Sequence, residues 1–139
     1  MLSAFLKSDL YPELRAAEDL RRELRFNVRL PAEAFTEEPT TKEELKGETV
    51  LVQGIMDGLF TDAAGRLTVL DYKTDRIPSD MAGDPAAFGE LLIRRHRRQL
   101  SYYRAACETV ACRPVERILL YSFALGRTVN VPLSALIVL

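Results

Sequence analysis

Three residues near the middle of the sequence have the types and spacing to act on a phosphate ester: Asp57, Asp71 and Lys73. They lie in Gln53-Gly54-Ile55-Met56-Asp57-Gly58-Leu59-Phe60 and Leu70-Asp71-Tyr72-Lys73-Thr74-Asp75. Asp71 and Lys73 are two apart, so on a strand both side chains leave the same face. A turn at Asp62-Ala63-Ala64-Gly65 folds the preceding strand back and sets Asp57 opposite or diagonal to Asp71, within cross-strand reach. Two carboxylates that close repel each other, and a divalent cation removes the penalty. Oxygen donors select hard cations, Mg²⁺ or Mn²⁺. The backbone carbonyl of Tyr72 is a further candidate ligand. Such a cation polarises a phosphoryl oxygen and lowers the pKa of a bound water, while Lys73 orients that water or stabilises developing charge. Gly54 and Gly58 would let another backbone or a nucleic-acid strand come close. A bare D-x-K alone reads as a solvated surface pair of little energetic worth; the hairpin and Asp57 give it weight.

A helix supplies the second group. Gln99 and Tyr103 are i and i+4 and share a face. Leu100, Tyr103, Cys107 and Val110 have core spacing, so Gln99 flanks the buried stripe and could point at the carboxylates. Just before it, Arg94, Arg95, Arg97 and Arg98 surround His96, the one histidine of the chain. At a helix start this run suits backbone phosphates; as a charge run alone it is an exposed face. His96 reads as a phosphate contact or surface residue, Cys107 as core, Cys112 as loop.

These groups need a scaffold. Residues 3–17 read as one or two short helices, with Pro12 interrupting or opening the second. From Leu20 to Leu30 apolar and charged residues alternate, placing Leu20, Leu24, Phe26, Val28 and Leu30 on one face of a strand. Residues 31–48 carry six glutamates and read as a solvated loop with a helical turn near residues 42–46. Residues 49–73 form the hairpin. Residues 75–89, with Pro78, Gly83, Pro85 and Gly89, read as a mobile loop. A helix runs from Glu90 to about Val110, then an apolar strand from Val115 to Ala124 and a last strand from Thr128 to Leu133. The order is helix, strand, strand, strand, helix, strand, strand: α/β or α+β with a mixed sheet.

At 139 residues, 47% hydrophobic and 28% charged, the chain suits one domain, residues 1–139, with a buried core. Its net charge is −1, but residues 1–50 carry −3, residues 51–90 carry −4 and residues 91–139 carry +6. An acidic centre beside a basic third suits a cation site next to a phosphate-attracting surface. Two cysteines are too few for a four-cysteine zinc site or an iron–sulfur cluster from this chain alone. No apolar run approaches the roughly 20 residues of a membrane span. There is no G-x-x-x-x-G-K-[ST] loop, hence no ATP site of that kind in this stretch.

At Gly54-Ile55-Met56-Asp57, Asp71-Tyr72-Lys73-Thr74-Asp75 and Gln99 with Tyr103 the sequence resembles the RecB-type branch of the PD-(D/E)XK nucleases. Arg22-Glu23-Leu24-Arg25-Phe26, the stretch Asp71–Arg76 and Leu120-Tyr121-Ser122-Phe123-Ala124-Leu125-Gly126 resemble the C-terminal nuclease domain of the AddA helicase/nucleases. The resemblance runs from about Ser8 to Pro132. It implies a restriction-endonuclease-like fold, a mixed β-sheet flanked by helices. It makes Asp57 and Asp71 metal ligands, Lys73 the catalytic lysine, and Gln99 and Tyr103 the Q-x-x-x-Y pair that orders the site and the strand; Glu23 would match a first-strand glutamate. It implies Mg²⁺-dependent exonuclease cleavage of single-stranded DNA in double-strand-break repair and recombination, a partner subunit of the AddB kind, and a bacterial cytoplasmic setting. The family's usual histidine on an upstream helix would lie before residue 1, and the chain would be a C-terminal piece of a longer helicase/nuclease. Two alternatives stand beside this: a DNA-binding or docking module that keeps the fold without chemistry, and a Cas4-like nuclease with an iron–sulfur cluster, for which two cysteines are too few.

Overall fold

The computed structural model describes residues 2–139. Two short helices, α1 (Leu2–Leu6) and α2 (Leu10–Ala16), lead into β1 (Glu18–Pro31). A 3₁₀ turn and a short helix, α3 (Pro39–Glu44), precede the hairpin of β2 (Thr49–Thr61) and β3 (Leu67–Lys73). The long helix α4 (Pro85–Ala111) then crosses to β4 (Arg117–Ser122) and β5 (Arg127–Val131). The strands lie in the order β1-β2-β3-β4-β5. Neighbours are antiparallel except β3 and β4, which are parallel. A parallel pair needs a long crossover, and α4 provides it. This mixed five-stranded sheet with helices on its faces agrees with the restriction-endonuclease-like architecture expected from the sequence.

The sheet has apolar packing on both faces. On one, Phe26, Val28, Met56, Val69, Ile118 and Leu120 meet Phe88, Leu92, Leu100, Ala106 and Cys107 of α4. On the other, Leu10 packs with Phe60, Leu70, Leu119 and Tyr121, joined by Phe5 and Leu14. Residues 118–121 feed the two cores alternately, which is why β4 reads as a continuous apolar run. Side chains as buried as Phe88 and Leu92 stabilise by about 1.5–3 kcal/mol each.

Several sequence expectations need correction. Leu20 and Leu24 do not share a face: Leu20 packs in the smaller core and Leu24 against the larger one. Between them Glu23 takes a left-handed backbone, φ 49°, which breaks strict alternation. β2 has a matching step, since Met56 and Leu59, three apart, both enter the larger core. Residues 75–89 are not one mobile loop, because a 3₁₀ turn spans Ser79–Met81 and α4 begins at Pro85. Pro85 stands in the first turn, and the Asp84 carboxylate accepts from Ala87 N–H at 3.1 Å, both helix-start signals. The arginine run therefore occupies the middle of α4, not its start. Val110 is 59% exposed, not core. Gly54 and Gly58 serve internal contacts: a Cβ on Gly54 would meet the Phe26 ring at 2.7 Å, and one on Gly58 would meet Leu70 at 3.3 Å.

Candidate active site

β2 and β3 pair only from Gly58 with Leu70 to Thr61 with Leu67. Beyond Gly58 and Leu70 the strands part, and the first residues past the last pair are Asp57 and Asp71. The Asp57 side chain fills the gap, its Oδ2 accepting the Tyr72 N–H at 2.7 Å. The irregular step of β2 at Asp57 thus turns a carboxylate into the place of a missing ladder bond, a common use of strand irregularities beside active sites.

Asp71 is 4% exposed. Burial first, and then its hydrogen bond with the Asp57 side chain, push its carboxyl up to about 6 against the opposing pull of Lys73. Lys73 Nζ lies 2.6 Å from Asp71 Oδ2, with the lysine side chain only 11% exposed. The approach makes an ion pair without hydrogen-bond alignment, and Asp71 Oδ2 has no hydrogen-bond donor among the described residues.

The lysine is held from behind. Nζ donates to Gln99 Oε1 at 2.8 Å, Gln99 Nε2 donates to the Tyr103 hydroxyl at 2.9 Å, and that hydroxyl donates to the Ile55 carbonyl at 3.1 Å. Gln99 therefore meets Lys73 rather than the carboxylates it was expected to face. Burial, with the negative charges of Asp71 and Asp57, pushes the Tyr103 hydroxyl up to about 12, so it stays a neutral donor. The relay ties the middle of α4 to both hairpin strands.

Two adjacent carboxylates, one with a buried oxygen lacking a donor, fit a hard cation. No group of three or more His, Cys, Asp or Glu side chains is poised for a metal among the described residues. A cation here would keep water or substrate oxygens in its remaining positions, the habit of Mg²⁺.

The basic run is divided. Arg95 Nη1 lies 2.9 Å from Asp75 Oδ2, and His96 Nε2 lies 3.1 Å from both oxygens of that carboxylate. Burial pushes Asp75 up, but Arg95 and His96 outweigh it and hold it below the usual carboxylate range. His96 is therefore an aspartate partner at the end of β3. Arg94, Arg97 and Arg98 are exposed and without an ion pair among the described residues. The sequence reading missed this clamp, though its signal was present: Arg95, Gln99 and Tyr103 recur every four residues and meet Asp75, Lys73 and the Ile55 carbonyl in turn. It also missed the cleft lined by Tyr11, Arg15, Arg22, Glu23, Asp57 and Tyr72, among others. Cys107 is core, as expected, and Cys112 ends α4 in a left-handed conformation.

No protein-family model matches the chain. It is 37% identical over 131 residues to the A subunit of the ATP-dependent helicase/nuclease of Geobacillus kaustophilus (strain HTA426), covering 94% of this chain and 10% of that protein. The protein of the same name from Bacillus pumilus (strain SAFR-032) is 34% identical over 122 residues, or 88% of this chain and 10% of its own length. That from Bacillus cereus (strain G9842) is 34% identical over 128 residues, 92% and 10% respectively. The chain spans about a tenth of the length of the curated relatives it matches.

Proposed function

With this chain a relative of one segment of the AddA-type helicase/nucleases, we propose that it is a nuclease domain that hydrolyses phosphodiester bonds of single-stranded DNA with Mg²⁺ or Mn²⁺. In a longer helicase/nuclease working with a second subunit of the AddB kind, this would be an exonuclease step of double-strand-break repair and recombination. The observation that carries the reading is the meeting of Asp57, Asp71 and Lys73 where β2 and β3 part. A structural ion pair needs only one carboxylate beside the lysine; two set side by side are a costly arrangement that a cation relieves.

Asp57, Asp71 and the Tyr72 carbonyl would hold the cation, which when bound polarises the scissile phosphate and acidifies a water. Lys73 Nζ lies 2.6 Å from Asp71 Oδ2, and its ammonium would donate to a non-bridging phosphate oxygen or orient the water. Gln99 holds Nζ, and Tyr103 fixes the Gln99 amide. Arg94, Arg97 and Arg98 would take backbone phosphates along the exposed side of α4.

Asp71→Ala tests the reading: metal-dependent degradation of single-stranded DNA should vanish while strand binding in chelator is kept. Cleavage at the wild-type rate by that variant would rule the site out. Metal binding by the wild-type chain without any cleavage would favour a binding or docking module instead.

A further inference from the structure

A cleft of about 670 Å³ opens on the α1–α2 face of the sheet, in the volume range of small-ligand sites. It touches the candidate active site through Asp57, but most of its wall belongs to residues given no role above. Tyr11 and Tyr72 form an aromatic wall, each meeting Phe5 edge to face at 6.0 Å. Tyr72 is braced from behind by Phe123 at 5.8 Å. Such contacts make rigid rings that lose little entropy when another flat ring stacks on them. Arg15 and Arg22 stand at the same cleft, both exposed and without a carboxylate partner among the described residues. Arg66, Arg104 and Arg117, by contrast, are held by carboxylates: Arg66 by Asp62, Arg104 by Glu108, Arg117 by Glu13 and Asp62.

Aromatic faces beside unpaired guanidinium groups are the chemistry that holds a nucleotide, base on ring and phosphate on fork. Asp57 and Glu23 add two carboxylates to the lining, so a phosphate must sit at the Arg15 and Arg22 side. Glu23 is also one of the few non-glycine residues with a positive φ, which fixes the bend of β1 at the cleft.

We propose that this cleft is a nucleotide subsite of the DNA strand: a base stacks on Tyr11 and Tyr72, and its phosphate rests on Arg15 and Arg22, next to the phosphate presented to Asp57 and Asp71. The inference rests on the nuclease reading for its choice of strand. It explains why Tyr72 stands between Asp71 and Lys73: one strand residue offers its ring to the base while its neighbours on the opposite face serve the phosphate.

The test is equilibrium binding of a fluorescent oligothymidylate to the 139-residue chain in chelator, so that cleavage plays no part. Tyr11→Ala should weaken binding about five- to 150-fold, the span of one base–aromatic stack. A strand of the same length with base-free sugars should bind the wild type and Tyr11→Ala alike. Arg22→Gln, an exposed change on β1 that keeps the fold if Tyr11→Ala does not, should lower the slope of log K against log salt by about 0.7. Unchanged affinity in Tyr11→Ala with an unchanged salt slope in Arg22→Gln overturns the subsite, as does an equal Tyr11→Ala deficit on the base-free strand. Absence of cleavage by a wild type that still shows the Tyr11 and Arg22 effects would instead overturn the nuclease reading and leave the subsite standing.

Discussion

Asp71 is the residue on which most of the site's physics converges. Burial and the neighbouring Asp57 side chain push its carboxyl up, and Lys73 pulls it the other way. Without metal, a raised carboxyl pKa means that ionisation disfavours the fold. Its contribution to stability is fully present below 3.8 and is lost as pH rises through about 6. Asp75 and Asp62 shift downward and act below that window. In chelator, thermal unfolding of the wild type should therefore lose ground to Asp71→Asn between pH 4 and 7; parallel Tm profiles would show that Asp71 ionises normally. Lys73→Ala should abolish cleavage and cost about 1–3 kcal/mol in denaturant unfolding, because it strips the Gln99 amide and the Asp71 carboxylate of their nearest cation. With the Lys73 side chain only 11% exposed, an unchanged stability would contradict the observed packing. Asp57, Asp71, Lys73 and the Gln99–Tyr103 pair were legible because strand period two and helix spacing four already place them together. The Asp75–Arg95–His96 clamp was missed because the arginine run was read as one surface, although Arg95 lies one helical turn before Gln99 on the face that meets the hairpin.

The hairpin and α4 carry the site, and their small irregularities matter more than their regular parts. β2 steps at Asp57 and β1 bends at Glu23, so that neither strand keeps one apolar face throughout. Period-two counting foresees the strands but not the bends, because a left-handed backbone at a glutamate leaves no mark in hydrophobic patterning. The start of α4 was hidden in the same way: Gly83, Pro85 and Gly89 suggest a loop, yet Asp84 caps the helix and Gly89 lies within it, packed near Val129. Gly54 gives the sharpest test at this level. A Cβ there would sit 2.7 Å from the Phe26 ring, which itself packs on Tyr103 at 5.5 Å between centroids. Gly54→Ala should destabilise by about 1–3 kcal/mol. Added Phe26→Leu should recover part of that loss, a non-additive pair in a double-mutant cycle of denaturant midpoints. Simple addition of the two losses would mean that the close approach is not the reason for the glycine.

Across the chain as a unit, the acidic centre and the basic final third meet at the end of β3, where α4 bonds Lys73 and Asp75. Asp57 and Asp71 sit where β2 and β3 part, and Arg94, Arg97 and Arg98 line exposed α4 nearby. Neutralising these three arginines together should lower the salt slope of single-strand binding by about 2, with little change in Tm. An unchanged slope would return the run to the plain exposed face that a charge count alone suggests. The mixed sheet and its crossover were legible from the order of strands and helices, whereas the α1–α2 cleft depends on how separate elements pack and has no sequence signature. The most direct measurement of the central claim is a titration of Mg²⁺ or Mn²⁺ into the chain with end-labelled single-stranded DNA. The account predicts metal-dependent shortening of the strand that disappears in Asp71→Asn and Lys73→Ala. Shortening that persists in chelator or in either variant, or metal binding with no shortening at all, would contradict it.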